Sequence, residues 1–118
     1  MTPTAFEFTI KMPGDSRLVS AIRQLTAHAA DYAKLAPDAG EAFAEHVERA
    51  TEYAITASKT QTALIEYRFT ADATALVVAF SCDVAGSAPR PMSTAVDGVT
   101  VDWRVEGSRH ICRVRRQL

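Results

Sequence analysis

The side chains with the clearest chemical potential are four glutamates spaced three or four residues apart: Glu41, Glu45, Glu48 and Glu52. At about 100° per residue they share one side of a helix, opposite a row of apolar side chains, Phe43, Val47, Ala50 and Ala54. Like charges four residues apart repel each other by a few tenths of a kcal/mol, and we expect no opposite charge to interrupt the row. The row is therefore either a solvated helix face or a surface for a cation or a basic partner.

Two cysteines and three histidines are the next candidates for chemistry. Cys82 and Cys112 fall in strand-like segments without a CxxC spacing, and we interpret them as small, reduced core residues. The histidines are far apart in the sequence and have no Cys or His at ligand spacing, so we expect no metal site. The sequence also contains no GxSxG elbow and no glycine-rich phosphate loop.

The elements that would position these side chains follow from the hydrophobic periodicity. Apolar and polar residues alternate from Phe6 to Met12, which predicts a half-buried strand that Pro13 ends. Asp15 or Ser16 can cap a first helix with one apolar face, Leu18, Ile22, Leu25, Ala29 and Tyr32. A second helix begins near Pro37, whose fixed φ suits a first helical turn, and is expected to run to about Ser58.

The pattern of the second half of the chain predicts strands. Residues 63–70 alternate, and Ala75 to Cys82 is so apolar that we expect it to be buried on both faces. A long loop from Asp83 to Gly98 follows, and then two strands, Val99 to Glu106 and Ile111 to Arg116, joined by a hairpin turn. The order β-α-α-β-β-β-β predicts an α+β two-layer sandwich, with both helices on one face of a mostly antiparallel five-stranded sheet.

Charge is balanced overall but divided along the chain. The length of 118 residues predicts one domain over residues 1–118. The chain holds 13 Lys+Arg against 14 Asp+Glu, and this balance argues against binding nucleic acid through bulk charge. Residues 31–53 carry six carboxylates against two basic side chains (−4), and residues 100–118 carry five arginines against two carboxylates (+3). Because we expect the final hairpin to end at a sheet edge, its arginines prevent unwanted strand pairing, form a rim for an acidic protein, or bind nucleic acid. No pattern of exposed aromatic residues with arginine supports the last of these. Glu66 and Arg68, on one side of a strand, are expected to form a surface pair.

Three stretches resemble the histidine-kinase-like (GHKL) ATPase fold, in particular the bacterial anti-sigma-factor serine kinases. They are FEFTIKMPGDSRLVSAIRQLTAHAA from Phe6 to Ala30, VERATEYAI from Val47 to Ile55, and VVAFSCD from Val77 to Asp83. The first is similar to the family's opening strand and long helix. The second stands where the family has its Glu-x-x-x-Asn box, and the third precedes the position of its Asp-x-Gly motif.

The resemblance implies roles for four residues. Glu48 would take the place of the catalytic glutamate, Glu52 that of the magnesium-binding asparagine, Asp83 that of the adenine-binding aspartate, and Gly86 that of the glycine beyond it. This sequence departs from the family pattern at Glu52, and its glycine comes one position late. Residues Asp83 to Gly98 are also too few for the family's lid, second glycine motif and phosphate-facing helix.

These departures predict a regulatory protein-binding module without ATP binding, kinase activity or a cofactor. The resemblance suggests a sigma factor, an antagonist or a second copy of the chain as partner, and we expect no nucleic acid. One alternative is an active ATP- and Mg-dependent serine/threonine kinase. Another is a small-ligand-binding domain with a pocket near the aromatic residues Tyr32, Tyr53, Tyr67 and Trp103. The absence of a leader pattern and of a long apolar run predicts a cytoplasmic protein without membrane contact.

Overall fold

The computed structural model describes residues 5–57, 64–83, 93–96, 98–107 and 109–118. A single 3₁₀ turn (Ser16–Leu18) precedes two helices, α1 (Val19–Tyr32) and α2 (Pro37–Ala57). The strands are β1 (Phe6–Pro13), β2 (Leu64–Ala71), β3 (Ala75–Asp83), β4 (Thr94–Val96), β5 (Val99–Glu106) and β6 (Arg109–Gln117).

All neighbouring strands of the sheet are antiparallel, in the order β1-β2-β3-β6-β5-β4. The α+β class, the two helices and the antiparallel sheet are thus as predicted from the sequence. The strand count is six instead of five, because β4 forms at Thr94–Val96 inside the predicted loop. Three residues are too few to show an alternating pattern, and β4 exists through its pairing with β5.

The position of β6 corrects a prediction. The last strand lies between β3 and β5, in the interior of the sheet, and the described edges are β1 and β4. Edge protection therefore does not explain the arginines of β6. The predicted hairpin is present, since Glu106 is paired with Arg109, but its second strand lies inside the sheet instead of at its edge.

Local contacts explain where the helices begin and end. Asp15 caps the 3₁₀ turn, because its Oδ1 accepts the backbone N–H of Arg17 at 2.9 Å. At the end of α1, Lys34 adopts a left-handed conformation (φ 69°). Its N–H donates to the carbonyl of Asp31 and that of Leu35 to the carbonyl of Ala30, which forms a Schellman motif. Pro37 then starts α2.

One face of the sheet packs against both helices. The apolar face predicted for α2 is entirely buried, at Phe43, Val47, Ala50 and Ala54. It meets alternate residues of the interior strands, among them Tyr67, Phe69, Val78, Phe80, Cys112 and Val114. On α1, Ile22 and Ala29 are buried as expected, but Tyr32 is 60% exposed. Tyr32 lies in the last turn beside the edge strand β1, where its ring contacts only Phe6 among the described aromatic rings.

The second face of the sheet has no helix over it in the described part of the chain. The prediction that β3 is buried on both sides is therefore wrong. Its alternate residues Val77, Ala79 and Ser81 are partly exposed, while Leu76, Val78 and Phe80 are buried under the helices. We call this second surface the open face. No described helix has the length and apolar character required to cross a membrane.

Candidate functional site

Three of the four glutamates of α2 form ion pairs: Glu41, Glu45 and Glu48. Arg23 of α1 lies with Nη1 3.2 Å from Oε1 of Glu48 and Nη2 3.2 Å from Oε2 of Glu41. Glu45 pairs with Arg49 one helical turn away. The hydrogen bond to Glu41 and the charge of Glu48 raise the pKa of Arg23 above its usual value. The expectation of an uninterrupted acidic row is thus wrong, because α1 places a guanidinium against it.

The residues assigned by resemblance are placed on different parts of the molecule. Glu48 is partly buried against α1, and Glu52 is exposed one turn further along α2. Asp83 ends β3 on the open face, with Oδ1 3.9 Å from Nε of Arg109. Gly86 lies outside the described residues. The structure therefore brings Glu48 and Glu52 onto one helix and leaves Asp83 on the far side of the sheet.

The open face carries exposed arginines on three interior strands, with Arg68 on β2, Arg104 on β5 and the others on β6. Strand β6 contributes Arg109, Arg113 and Arg115 at alternate or near-alternate positions, all exposed. Arg68 of β2 and Arg113 of β6 are both register partners of Ala79 on β3. Since neighbouring strands lie about 4.8 Å apart, these two arginines begin about 10 Å from each other on either side of one methyl group.

Arg68 and Arg113 have no ion pair within the residues that the structure describes. Glu66, expected to pair with Arg68, lies instead 4.0 Å from Nζ of Lys11 on β1. Arg113 faces Asp102 in the register of β5 without an ion pair to it. Two other arginines of β6 have a carboxylate nearby: Arg109 has Asp83, and Arg115 helps to lower the pKa of Asp72, after the hydrogen bonds from Thr74 and Ala75.

A shallow groove of about 480 Å³ lies on the open face beside Arg68 and is lined by Arg109 of β6, not by Arg113. Its lining combines Arg68 and Ala79 with the polar Glu66 and Ser81 and the apolar Leu64 and Ile111. Leu64 is 62% exposed. By strand alternation, every described aromatic ring of the sheet belongs to the opposite, helix-covered face. The open face thus offers guanidinium groups and small apolar side chains without stacking surfaces.

The aromatic residues predicted to line one pocket are divided among three places. Tyr67 is buried in the core, Tyr32 lies near β1, and only Tyr53 and Trp103 share a groove, of about 460 Å³, between α2 and the β4–β5 pair. Their rings meet edge to face with centroids 5.0 Å apart. The hydroxyl of Tyr53 lies 3.4 Å from Nδ1 of the buried His110.

Both cysteines are buried and free, in agreement with their interpretation as core residues. Burial raises the pKa of the Cys82 thiol to about 11 and raises that of Cys112 as well. A thiol with a raised pKa is a poor nucleophile and a poor metal ligand near neutral pH. The cysteines are therefore not part of the candidate site.

Sequence reasoning missed the juxtaposition of Arg68 and Arg113. The alternation of β2 and β6 places each arginine on a polar strand face, but only the strand order shows that Ala79 lies between them. The available signal was the charge of residues 100–118, which pointed to β6 and not to β2.

Comparison with known proteins adds no relative to these observations. A scan against protein-family models gives no match to the sequence. A search of the curated proteins likewise finds none that matches it.

Proposed function

We propose that this chain is a non-catalytic regulatory module that binds an acidic segment of a partner protein on its open face. The observation that carries the proposal is the pair Arg68 and Arg113, unpaired within the described residues and flanking Ala79 in the interior of the sheet. A guanidinium presents several N–H groups in a planar fork and binds carboxylates in a bidentate manner. Two such groups on long side chains, whose backbones lie about 10 Å apart, can reach carboxylates about 7 Å apart on alternate residues of an extended acidic chain.

The surroundings of the arginines support a protein partner over nucleic acid. Carboxylates are interspersed on the same face, at Glu66, Asp83 and Asp102, so its positive charge is divided into separate spots. Such spots suit single carboxylates of a peptide better than the evenly spaced phosphates of a nucleic acid. Proteins that bind single strands also stack bases on aromatic rings, and the described part of this face carries none. Leu64, Val77 and Ile111 instead supply the partly exposed apolar contacts that protein interfaces use.

The non-catalytic part of the proposal draws support from the position of the carboxylates. A kinase of the family that the sequence resembles would need Glu48 and Asp83 to face the same nucleotide. Here Glu48 contacts Arg23 in the helix layer, and Asp83 lies on the open face. Within the resemblance, the proposed acidic partner is a sigma factor or an antagonist.

The test is fluorescence anisotropy of a fluorescein-labelled peptide that alternates Glu and Ser. We expect Arg113→Glu and Arg68→Glu each to weaken its binding by at least about tenfold, because each replaces attraction by repulsion. Lys34→Glu is the matched control, since it makes the same change of net charge at an exposed residue of the helix layer. The control is expected to bind within about twofold of the wild type.

Equal weakening by all three variants would indicate bulk charge and would overturn the proposed site. An unchanged affinity of Arg113→Glu would do the same. A labelled single-stranded oligonucleotide is measured in parallel. If it bound more tightly than the peptide and lost affinity in the same two variants, the face would be assigned to nucleic acid instead.

A second candidate function is small-ligand binding in the groove between α2 and β4–β5. The groove has the volume of a typical ligand site, of about 300–1,000 Å³, and combines Tyr53 and Trp103 with the polar His46 and Thr94. Trp103 is the single tryptophan of the chain, so its fluorescence reports on this groove alone. A saturable shift of that emission with a panel of aromatic carboxylates would support this candidate, and an unchanged emission would exclude that class of ligand.

A further inference from the structure

β1 is an unusually accessible edge strand. It is eight residues long, it pairs with β2 on one side, and no described strand pairs with its other side. The opposite edge, β4, has only three residues. An edge strand of this length presents a row of unpaired backbone N–H and C=O groups, which form a template for another strand.

The apolar residues of β1 are incompletely covered. Phe6, Phe8, Ile10 and Met12 point toward the helix layer, yet all four are only half buried. Between β1 and α1 lies an open apolar pocket of about 320 Å³ that ends at the exposed Tyr32. Apolar surface at a sheet edge, next to unpaired backbone, favours burial against a second strand.

The sequence of β1 is complementary to itself when two copies run antiparallel. In a register centred on Thr9, Glu7 of each copy is opposite Lys11 of the other, on the open face. In the same register Phe8 is opposite Ile10, and Phe6 is opposite Met12, on the helix-covered face. Directly opposed charges of unlike sign and opposed apolar pairs both stabilise a strand pair.

Neighbouring registers lose this match. If the centre moves by half a residue, Phe8 of one copy is opposite Thr9 of the other. Because strand side chains alternate between the two faces, the helices of the second copy then lie on the other side of the joined sheet. A centre at Phe8 opposes Glu7 to Thr9, and a centre at Ile10 opposes Lys11 to Thr9. Only the register centred on Thr9 uses the strand from Phe6 to Met12 and pairs both charges.

We propose that two copies of this chain form a two-fold dimer by antiparallel pairing of β1 with β1, centred on Thr9. A two-fold axis normal to the sheet keeps both helix layers on one side and joins the two sheets into one. Lys11, already 4.0 Å from Glu66 of its own chain, then lies between two carboxylates. The apolar pocket beside Tyr32 of each copy then lies next to Ile10 and Met12 of the other copy.

The experiment is sedimentation equilibrium of the full chain over a dilution series, with charge reversals on β1. We expect the wild type to dimerise, and Glu7→Lys and Lys11→Glu each to weaken dimerisation by at least about tenfold, because each creates two pairs of like charges. An equimolar mixture of the two variants should associate, because the two lysines that one variant carries on β1 then face the two glutamates of the other. The double variant carrying both substitutions should dimerise again.

The mixture separates the interface from a folding defect, because misfolded single variants would not rescue each other. Glu52→Lys and Lys34→Glu serve as controls for the two charge changes at exposed positions outside β1. A wild type that is monomeric at every concentration would overturn the proposal. So would a dimer insensitive to the β1 charges, or single variants whose mixture stays monomeric.

Discussion

The hydroxyl of Tyr67 on β2 donates a hydrogen bond to Oγ1 of Thr51 on α2, across 3.2 Å of otherwise apolar core. Both residues are almost completely buried. Burial in this position raises the pKa of Tyr67 to about 12, with the Thr51 hydrogen bond acting in the opposite direction. The contact fixes the second helix on the sheet at one point with defined geometry.

Removing one partner of this hydrogen bond is expected to cost nearly as much as removing both. Thr51→Val leaves the Tyr67 hydroxyl buried and unpaired, so the free energy of unfolding should fall by about 1–3 kcal/mol. Adding Tyr67→Phe to Thr51→Val should cost little more, which gives a coupling of about 1 kcal/mol in a urea double-mutant cycle. Thr26→Val is the control, because Thr26 donates to Ile22 within α1 and should combine additively with Tyr67→Phe. An additive Thr51 cycle would contradict the contact.

Replacing Lys34 by glycine is expected to stabilise the protein. Lys34 holds the left-handed position of the Schellman motif at φ 69°. A side chain there costs about 1–2 kcal/mol, and glycine avoids it at an entropic cost of about 0.5–1 kcal/mol. Lys34→Gly should therefore raise the free energy of unfolding by about 0.5–1 kcal/mol, as measured by urea denaturation. Lys34→Ala retains Cβ and should give no comparable gain; an equal gain in both would indicate an effect of charge.

Acid should weaken the cap at the start of the helical region. Hydrogen bonds from the Arg17 side chain and backbone lower the pKa of Asp15 from 3.8 to about 2. Because the folded-state pKa is the lower one, the stabilisation is complete above about pH 4 and is lost as the pH falls through about 2. An NMR titration of the carboxyl carbon of Asp15 should measure this lowered pKa directly.

Asp15→Asn should accordingly reduce the pH dependence of stability between about pH 4 and pH 2. Asp31→Asn is the comparison, since its carboxylate makes no hydrogen bond to other described residues. If the two variants showed the same acid dependence, the cap would not be the cause.

The two thiols should be unreactive toward thiol reagents in the folded protein. Burial raises the pKa of Cys82 to about 11 and that of Cys112 further above its usual range. We expect reaction with Ellman's reagent at pH 8 to be slow for the native chain and rapid for both thiols in denaturant. Cys112 is fully buried, whereas Cys82 is slightly exposed, so Cys112 should react more slowly than Cys82. The variant Cys82→Ala, which retains only Cys112, should therefore show only the slower reaction. Fast labelling of that variant in its native state would contradict the burial.

Hydrophobic periodicity was sufficient for the fold class and for most element positions. The rows at Phe43, Val47, Ala50 and Ala54 and at Ile65, Tyr67 and Phe69 are buried as their spacing predicts. Periodicity describes one element at a time, however, and it carries no information on which strands become neighbours. That is why β6 was expected at an edge and why β3, an apolar strand, was expected to have two covered faces.

The candidate site was harder to predict for the same reason. Arg68 and Arg113 are 45 positions apart in the sequence, and they become neighbours of Ala79 only through two strand pairings. The pairing of Arg23 with Glu48 likewise depends on how α1 packs against α2. Local patterns indicated the exposure of these charged residues, but their partners are a property of the tertiary structure.

The interior position of β6 also has a consequence for how the chain acquires its structure during synthesis. Strands β1 to β3 can pair as soon as they leave the ribosome, but β5 has no link to them until Arg109–Gln117 has emerged. A chain that stopped before Arg109 would hold two unconnected fragments of sheet, and β3 would display an uncovered edge. Completion of this sheet therefore waits for β6, the strand that joins β3 to β5.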